Sequence, residues 1–228
     1  MTIRAAALSR RRIAIARAHF PVTTLGYGRR VGIWTQGCTI RCCGCMSTDT
    51  WPRLRGDMVE VGNLVQSLRP WLATADGVTV SGGEPFEQPA ALAALLRILR
   101  LEISGDLFVY SGMTWERLVA EYPDVVGLPD VIMSEPYDAS ITGTLPFRGS
   151  DNQRLHRLTP LGALRYPESF DEPVEGVRSL DVATVGETAF LVGIPMDGAR
   201  PNFRRRLRDD GFAIESVRTI RPDPGVEP

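Results

Sequence analysis

Cys38-Thr-Ile-Arg-Cys42-Cys43-Gly-Cys45 holds all four cysteines of this 228-residue chain within eight positions. Taken as C-x3-C-x2-C, Cys38, Cys42 and Cys45 offer three thiolates from one loop and leave Cys43 over. The number of ligands decides the chemistry. A site closed by four thiolates holds a structural ion, whereas one short of a ligand keeps a position for reaction. An iron–sulfur cube takes four iron ligands, so three thiolates leave one iron open to substrate. The competing use of the same residues is a tetrahedral zinc module on all four cysteines, but C-x3-C-C-x-C is tighter than the usual paired knuckles. Adjacent Cys42 and Cys43 are poorly placed to bridge each other. Clustered cysteines without distant partners argue against a disulfide framework and for a reducing, cytoplasmic setting.

A loop of this kind needs a scaffold, and the flanking sequence alternates strand and helix signals. Ile13 to Ala16 reads as a first strand after an Arg-rich arm, and Val31 to Thr35 as a buried strand running into the cysteines. Val59 to Leu68 has apolar residues at helical spacing. Gly77 to Val80 is a strand stopped by Ser81-Gly82-Gly83, and Pro89 to Leu101 a helix with Pro in its first turn and Leu92, Leu95, Leu96 and Leu99 on one face. Leu107 to Tyr110, Val131 to Met133 and Ala189 to Ile194 are further strands; Trp115 to Tyr122 is a helix capped by Thr114. A helix near Asn202 to Asp210 and a strand from Ala213 to Val217 complete the pattern. Such alternation predicts an α/β fold with a parallel sheet. A closed eight-fold barrel takes ~250 residues, so the expectation is an incomplete, open parallel β/α barrel of about six units. Ligands of such sheets sit at the C-terminal strand ends. The cysteines, Ser81 to Glu84 and Tyr110-Ser111-Gly112 all fall there.

Composition narrows the function classes. A net charge of −1 provides no global field for nucleic acid or anionic membrane. No apolar run approaches the ~20 residues of a membrane span. All 26 basic residues are Arg, so no lysine is available as base or Schiff-base former. One domain over residues 1–221 is expected, with 136–181 as a Pro- and Gly-rich lid or docking segment and 222–228 as a disordered tail.

C-x3-C-x2-C followed by Gly82-Gly83-Glu84-Pro85 resembles the radical S-adenosylmethionine (radical SAM) superfamily. The resemblance implies a [4Fe-4S] cluster on Cys38, Cys42 and Cys45. It implies that SAM chelates the fourth iron and is cleaved reductively to a 5′-deoxyadenosyl radical, which abstracts hydrogen. Gly82, Gly83 and Glu84 would bind the methionine amino group, and Ser111 would hydrogen-bond the ribose or carboxylate. Gly26-Tyr-Gly28-Arg-Arg30, Trp34-Thr-Gln36-Gly37-Cys38 and Arg148-Gly-Ser-Asp-Asn152-Gln153 are similar to motifs of the activating proteins of anaerobic ribonucleotide reductase. Asp49-Thr50-Trp51 resembles pyruvate formate-lyase activating enzymes. The similarity runs from about Ile13 to Gly211 and puts Ile194 near the adenosyl end and Arg148, Asn152 and Gln153 in a partner or substrate loop. Tyr27 replaces a usual Pro, Cys43 stands where Pro is common, and Ser134-Glu135-Pro136 where many relatives have Asp-Gly-Pro.

The resemblance implies a partner glycyl-radical enzyme whose glycine gives up a Cα hydrogen, with flavodoxin or ferredoxin as electron donor. The alternative is a stand-alone radical SAM enzyme acting on a small metabolite or peptide. The absence of further cysteines excludes an auxiliary cluster held by thiolates. Cys43 is expected to be a loop thiol, Trp34 and Trp51 to shield the cluster, and His156 to be a hydrogen-bonding residue before a catalytic one.

Overall fold

The computed structural model describes residues 3–53, 58–141, 143–174, 180–185 and 188–193, with 205 and 209. A short helix, α1 (Ile3–Ser9), precedes β1 (Arg12–Val22), β2 (Arg30–Thr35) and β3 (Met58–Glu60). Then follow α2 (Val61–Leu72), β4 (Gly77–Gly82), α3 (Pro89–Glu102), β5 (Asp106–Tyr110), α4 (Trp115–Glu121), α5 (Pro123–Val126) and β6 (Val131–Ser134). The later elements are β7 (Arg154–Arg157), α6 (Pro160–Arg165), β8 (Leu180–Val185) and β9 (Thr188–Gly193).

One seven-stranded sheet runs β3-β1-β2-β4-β5-β6-β7 and does not close. The parallel open sheet expected from sequence is present at its centre: β2, β4, β5 and β6 are mutually parallel neighbours. The flanks differ from the expected six units. β1 and β7 pair antiparallel, and β9 joins only β8 in a separate two-stranded sheet. Connection length explains the first difference. A parallel crossover takes a dozen or more residues, and the short link from Val22 to Arg30 permits only an antiparallel return. Among the described residues of the link from β6 to β7, no helix carries the chain across the sheet. The expected helix near Asn202 and strand at Ala213 lie outside the described residues.

Alternation along the strands assigns the two faces. Val31, Ile33, Val78, Val80, Leu107, Val109 and Ile132 pack on α2 and α3, whose Val65, Leu68, Leu92, Leu95, Leu96 and Leu99 are all buried. The opposite face carries Phe108, Val131 and Met133. It is filled by Tyr166, Phe147 and Phe170, which fold back from the chain after β6. Phe108 stacks on Tyr110 at 4.7 Å and meets Tyr166 edge-on at 5.2 Å. Phe147, Tyr166 and Phe170 therefore plug this face of the sheet, and the pocket lies at the strand ends.

Candidate active site

Because β2, β4, β5 and β6 are parallel, their C-terminal ends lie together, and Cys38, Gly83, Ser111 and Glu135 come after them in turn. These ends surround one open pocket of about 180 Å³. Cys38, Cys42 and Cys45 line it, together with Gly82, Gly83, Glu84, Ser111, Gly112, Glu135 and Gln153. Cys43 is exposed and is not among its lining residues.

The cysteine loop has little regular structure of its own and is held from both sides. Gly37 N–H donates to Thr50 O at 2.7 Å, and Cys38 N–H to Trp51 O at 3.1 Å. Gln36 Nε2 donates to Asp49 O and Pro52 O, and Arg17 from β1 pairs with Asp49. The sulfurs receive backbone donors: Ile40 and Arg41 at Cys38, Tyr137 at Cys42, and Ser47 at Cys45. Burial pushes the Cys38 and Cys42 thiols up, and those N–H groups oppose it. Backbone N–H groups directed at sulfur suit thiolate ligands, so the donor set fits an iron–sulfur cluster. Among the described residues, no group of three or more His, Cys, Asp or Glu gathers around a single-ion position. A cube presents its irons at separate corners, so its ligands need not converge on one point.

The glycine pair has a packing reason that sequence alone did not reveal. Gly82 has φ 104°, and a Cβ there would lie 2.5 Å from Thr35 N. A Cβ on Gly83 would lie 2.1 Å from Gly37 O. Gly83 N–H donates to Thr35 O and Glu84 N–H to Gly37 O, both at 2.8 Å. The end of β4 therefore needs glycine to lie flush against the cysteine loop, which fixes one wall of the pocket against the other.

Glu84 is 1% exposed. Its Oε1 accepts from Phe86 N–H at 3.0 Å and Ser111 Oγ at 2.9 Å, and its Oε2 from Gly112 N–H at 2.8 Å. Burial pushes its carboxyl up to about 7, against the pull of those three donors. Ser111 Oγ also accepts from Met113 N–H at 3.1 Å. Both side chains thus tie the β4 and β5 loops together, and the backbone around Gly82 and Gly83 remains to face a ligand. Ile194 lies outside the described residues.

Arg148, Asn152 and Gln153 are brought to the same end but turn inward. Arg148 is buried, donating to Gln153 O and Phe170 O and pairing with Asp171. Gln153 Oε1 accepts from Gly149 N–H, and its Nε2 donates to Glu135 O at 3.2 Å. Asn152 Nδ2 donates to Pro136 O at 2.8 Å, while its buried Oδ1 has no partner among the described residues. Ser150 Oγ accepts from Asp138 N–H at 3.0 Å. The motif buckles residues 135–138 down onto the cysteine loop, where Tyr137 reaches Cys42.

Glu135 and Tyr137 are among the pocket residues that the sequence did not mark as site residues. Glu135 has φ 81° before a proline, and its Oε1 accepts from Trp115 N–H and Ser134 Oγ. Its departure from Asp-Gly-Pro was the available signal. Tyr137 gave none. Of the two tryptophans expected to shield the cluster, Trp51 lines the pocket, whereas Trp34 packs with Ala16, Val22 and Val192. His156 stacks on Trp115 at 3.8 Å and hydrogen-bonds Ser134 Oγ, which makes it a structural group.

The profile of the 4Fe-4S single cluster domain family matches residues 24–156, more than half of the chain. An anaerobic ribonucleoside-triphosphate reductase-activating protein of Pasteurella multocida is 31% identical over 59% of this chain and 90% of its own length. The protein of that name from Enterobacteria phage T4 is 27% identical over 57% and 85%. A pyruvate formate-lyase-activating enzyme of Staphylococcus epidermidis is 39% identical over 34% of this chain and 33% of its own. The three-cysteine loop and the glycine-rich loop both lie within the matched residues, and the cofactors of such a chain are a [4Fe-4S] cluster and S-adenosylmethionine. The chain belongs to the 4Fe-4S single cluster domain family. Zinc on all four cysteines is set aside, since the match is to a cluster domain. No helix among the described residues is long and apolar enough to cross a membrane.

Proposed function

We propose that this chain activates a glycyl-radical enzyme, with Cys38, Cys42 and Cys45 holding the cluster and the Gly82–Glu84 and Ser111–Gly112 loops holding SAM. The observation that carries the reading is the meeting of those three cysteines and those two loops around one open pocket. When bound, cluster and SAM together supply reductive cleavage of the sulfonium to a 5′-deoxyadenosyl radical that takes a hydrogen atom. The chain's own part is placement and exclusion of water. Backbone at Gly82 and Gly83 offers acceptors to an amino group, because the Glu84 carboxylate is already engaged by three donors. Trp51 and Tyr137 both line the pocket that the cysteine loop borders.

The plugged second face of the sheet favours a substrate presented at the strand ends, such as a protruding glycine loop, over one taken in along that face. The two relatives named as reductase-activating proteins support a glycyl-radical partner. Residues 136–141 and 143–153 form the adjoining rim, which we read as part of the docking surface. The one-electron donor would be a flavodoxin or ferredoxin. The test is anaerobic incubation of cluster-loaded protein with SAM, a reductant and a glycyl-radical partner encoded nearby. A SAM-dependent glycyl-radical EPR doublet is expected. Formation of 5′-deoxyadenosine without that doublet would move the substrate to a small molecule.

A further inference from the structure

Glu87 closes the short turn Pro85–Glu87 that follows the glycine-rich loop, and its side chain reaches back to the cysteines. Its Oε1 accepts both the N–H of Thr39 at 2.7 Å and the Oγ1–H of Thr39 at 2.5 Å. Its Oε2 accepts from Arg53 Nη2. Thr39 follows Cys38 on the outgoing leg of the loop, and Arg53 lies on the returning leg. The backbone bonds joining the legs, Gly37 to Thr50 and Cys38 to Trp51, end just before Thr39. One carboxylate therefore takes over where those bonds stop. Its side chain is only 8% exposed, a costly position for a charge without partners, and here three donors meet it. Neither the Gly-Gly-Glu-Pro motif nor the cysteine motif includes it.

We propose that Glu87 is a positioning residue whose two carboxylate oxygens bracket the two legs of the cysteine loop and hold Cys38 in place for the cluster. This rests on the assignment of Cys38, Cys42 and Cys45 as ligands. Glu84 ties the same leg at Gly37 through backbone, so the bracket also fixes the cysteines relative to the Gly82–Glu84 wall. Glutamine at this position keeps an acceptor for Thr39 and loses the charge facing Arg53, so the two halves of the bracket are separable.

The test uses wild type, E87A, E87Q, R53M and the E87Q/R53M pair, each loaded anaerobically. Iron release to a ferrous chelator without SAM is measured, with the EPR spectrum of the reduced cluster and the unfolding midpoint of the cluster-free chain. E87A should release iron on the order of tenfold faster, as lost support for a ligand typically does, and should alter the EPR signal. E87Q and R53M should each give a smaller, equal acceleration, and the pair no more than either alone. If E87A fails to fold, the E87Q and R53M comparison decides. Release at the wild-type rate, or a lowered cluster-free midpoint with unchanged release, would overturn the bracket alone. A wild-type chain that takes up no four-iron cluster would overturn the ligand assignment, and the bracket with it.

Discussion

At the N-terminal ends of β2, β4 and β5, Arg30 and Asp106 are both fully buried and face each other at 2.8 Å. Arg30 also donates to Thr79 Oγ1, Tyr27 O and Val78 O, and Tyr166 OH donates to Asp106. At the C-terminal ends of the same strands, the cysteines and glycines border an open pocket, and three half-buried thiols face it. One end is closed by complete pairing of charges. The other is held rigid by backbone bonds and tight glycine contacts, and its reactive groups are left facing space. The contrast shows what Arg30 does at one end and what Arg17, Arg53 and Arg148 do at the other. Arg30 locks the fold at the far end and the other three brace the rim, leaving the sulfurs to backbone N–H groups.

The largest effect should fall at the open end. Alanine in place of Cys38, Cys42 or Cys45 should abolish cluster uptake and SAM cleavage, measured as iron per chain and 5′-deoxyadenosine. The cluster-free unfolding midpoint should barely move. The closed end should behave in the opposite way. Asp106→Leu leaves the Arg30 guanidinium buried without its partner and should destabilise the chain by about 3–5 kcal/mol, read from urea unfolding. The fraction that remains folded should still load iron. If Asp106→Leu lost the cluster without losing stability, the separation of the two ends would be wrong.

A subtler difference lies in pH. Glu84, at the open end, has its carboxyl raised to about 7 by burial. The stability it contributes is therefore complete below its unfolded value near 4.5 and is lost as pH rises through about 7. That loss is on the order of 3 kcal/mol for the cluster-free chain. His156, on β7, is pushed down to about 4, chiefly by burial. Its contribution runs the other way, present above about 6.5 and lost as pH falls toward 4. In wild type the two trends oppose each other between pH 4.5 and 6.5. Glu84→Gln should leave stability rising with pH across that window, and His156→Phe should leave it falling. A wild-type slope unchanged by Glu84→Gln would mean that the three donors keep this carboxylate ionised.

The open end was the more legible of the two in sequence, and the reason is chemical. Cysteine spacing and a glycine pair before Glu-Pro are dictated by a cofactor of fixed geometry, so they stand out as a local pattern. The parallel strands were legible too, through short apolar runs stopped by glycine. The Arg30–Asp106 pair was not, because its members lie far apart in the chain and meet only through strand register, with Arg30 beside Gly77 and Gly77 beside Asp106. The antiparallel β1 was hidden in the same way, since its direction is set by the length of a link and its residue types are silent. The inward turn of Arg148 and Gln153 required the fold of the plug, which no periodicity announces.

The smallest expected effect is the sharpest test of the three-ligand count. Cys43 sits between two proposed ligands, yet it is exposed and does not line the pocket. Cys42 half-faces the pocket and receives the Tyr137 N–H. Consecutive residues point their side chains apart, so Cys42 and Cys43 would need a change of backbone to serve one cluster together. Gly44 next to them has φ 76° and lies against Ala139, and a Cβ there would come within 3.2 Å of Ala139 Cβ, so this part of the loop has little freedom to rearrange. Cys43→Ala should therefore keep iron content, the reduced-cluster EPR signal and SAM cleavage within error of wild type. A loss of iron comparable to that of Cys42→Ala would make Cys43 a fourth thiolate ligand and close the position that three ligands leave open.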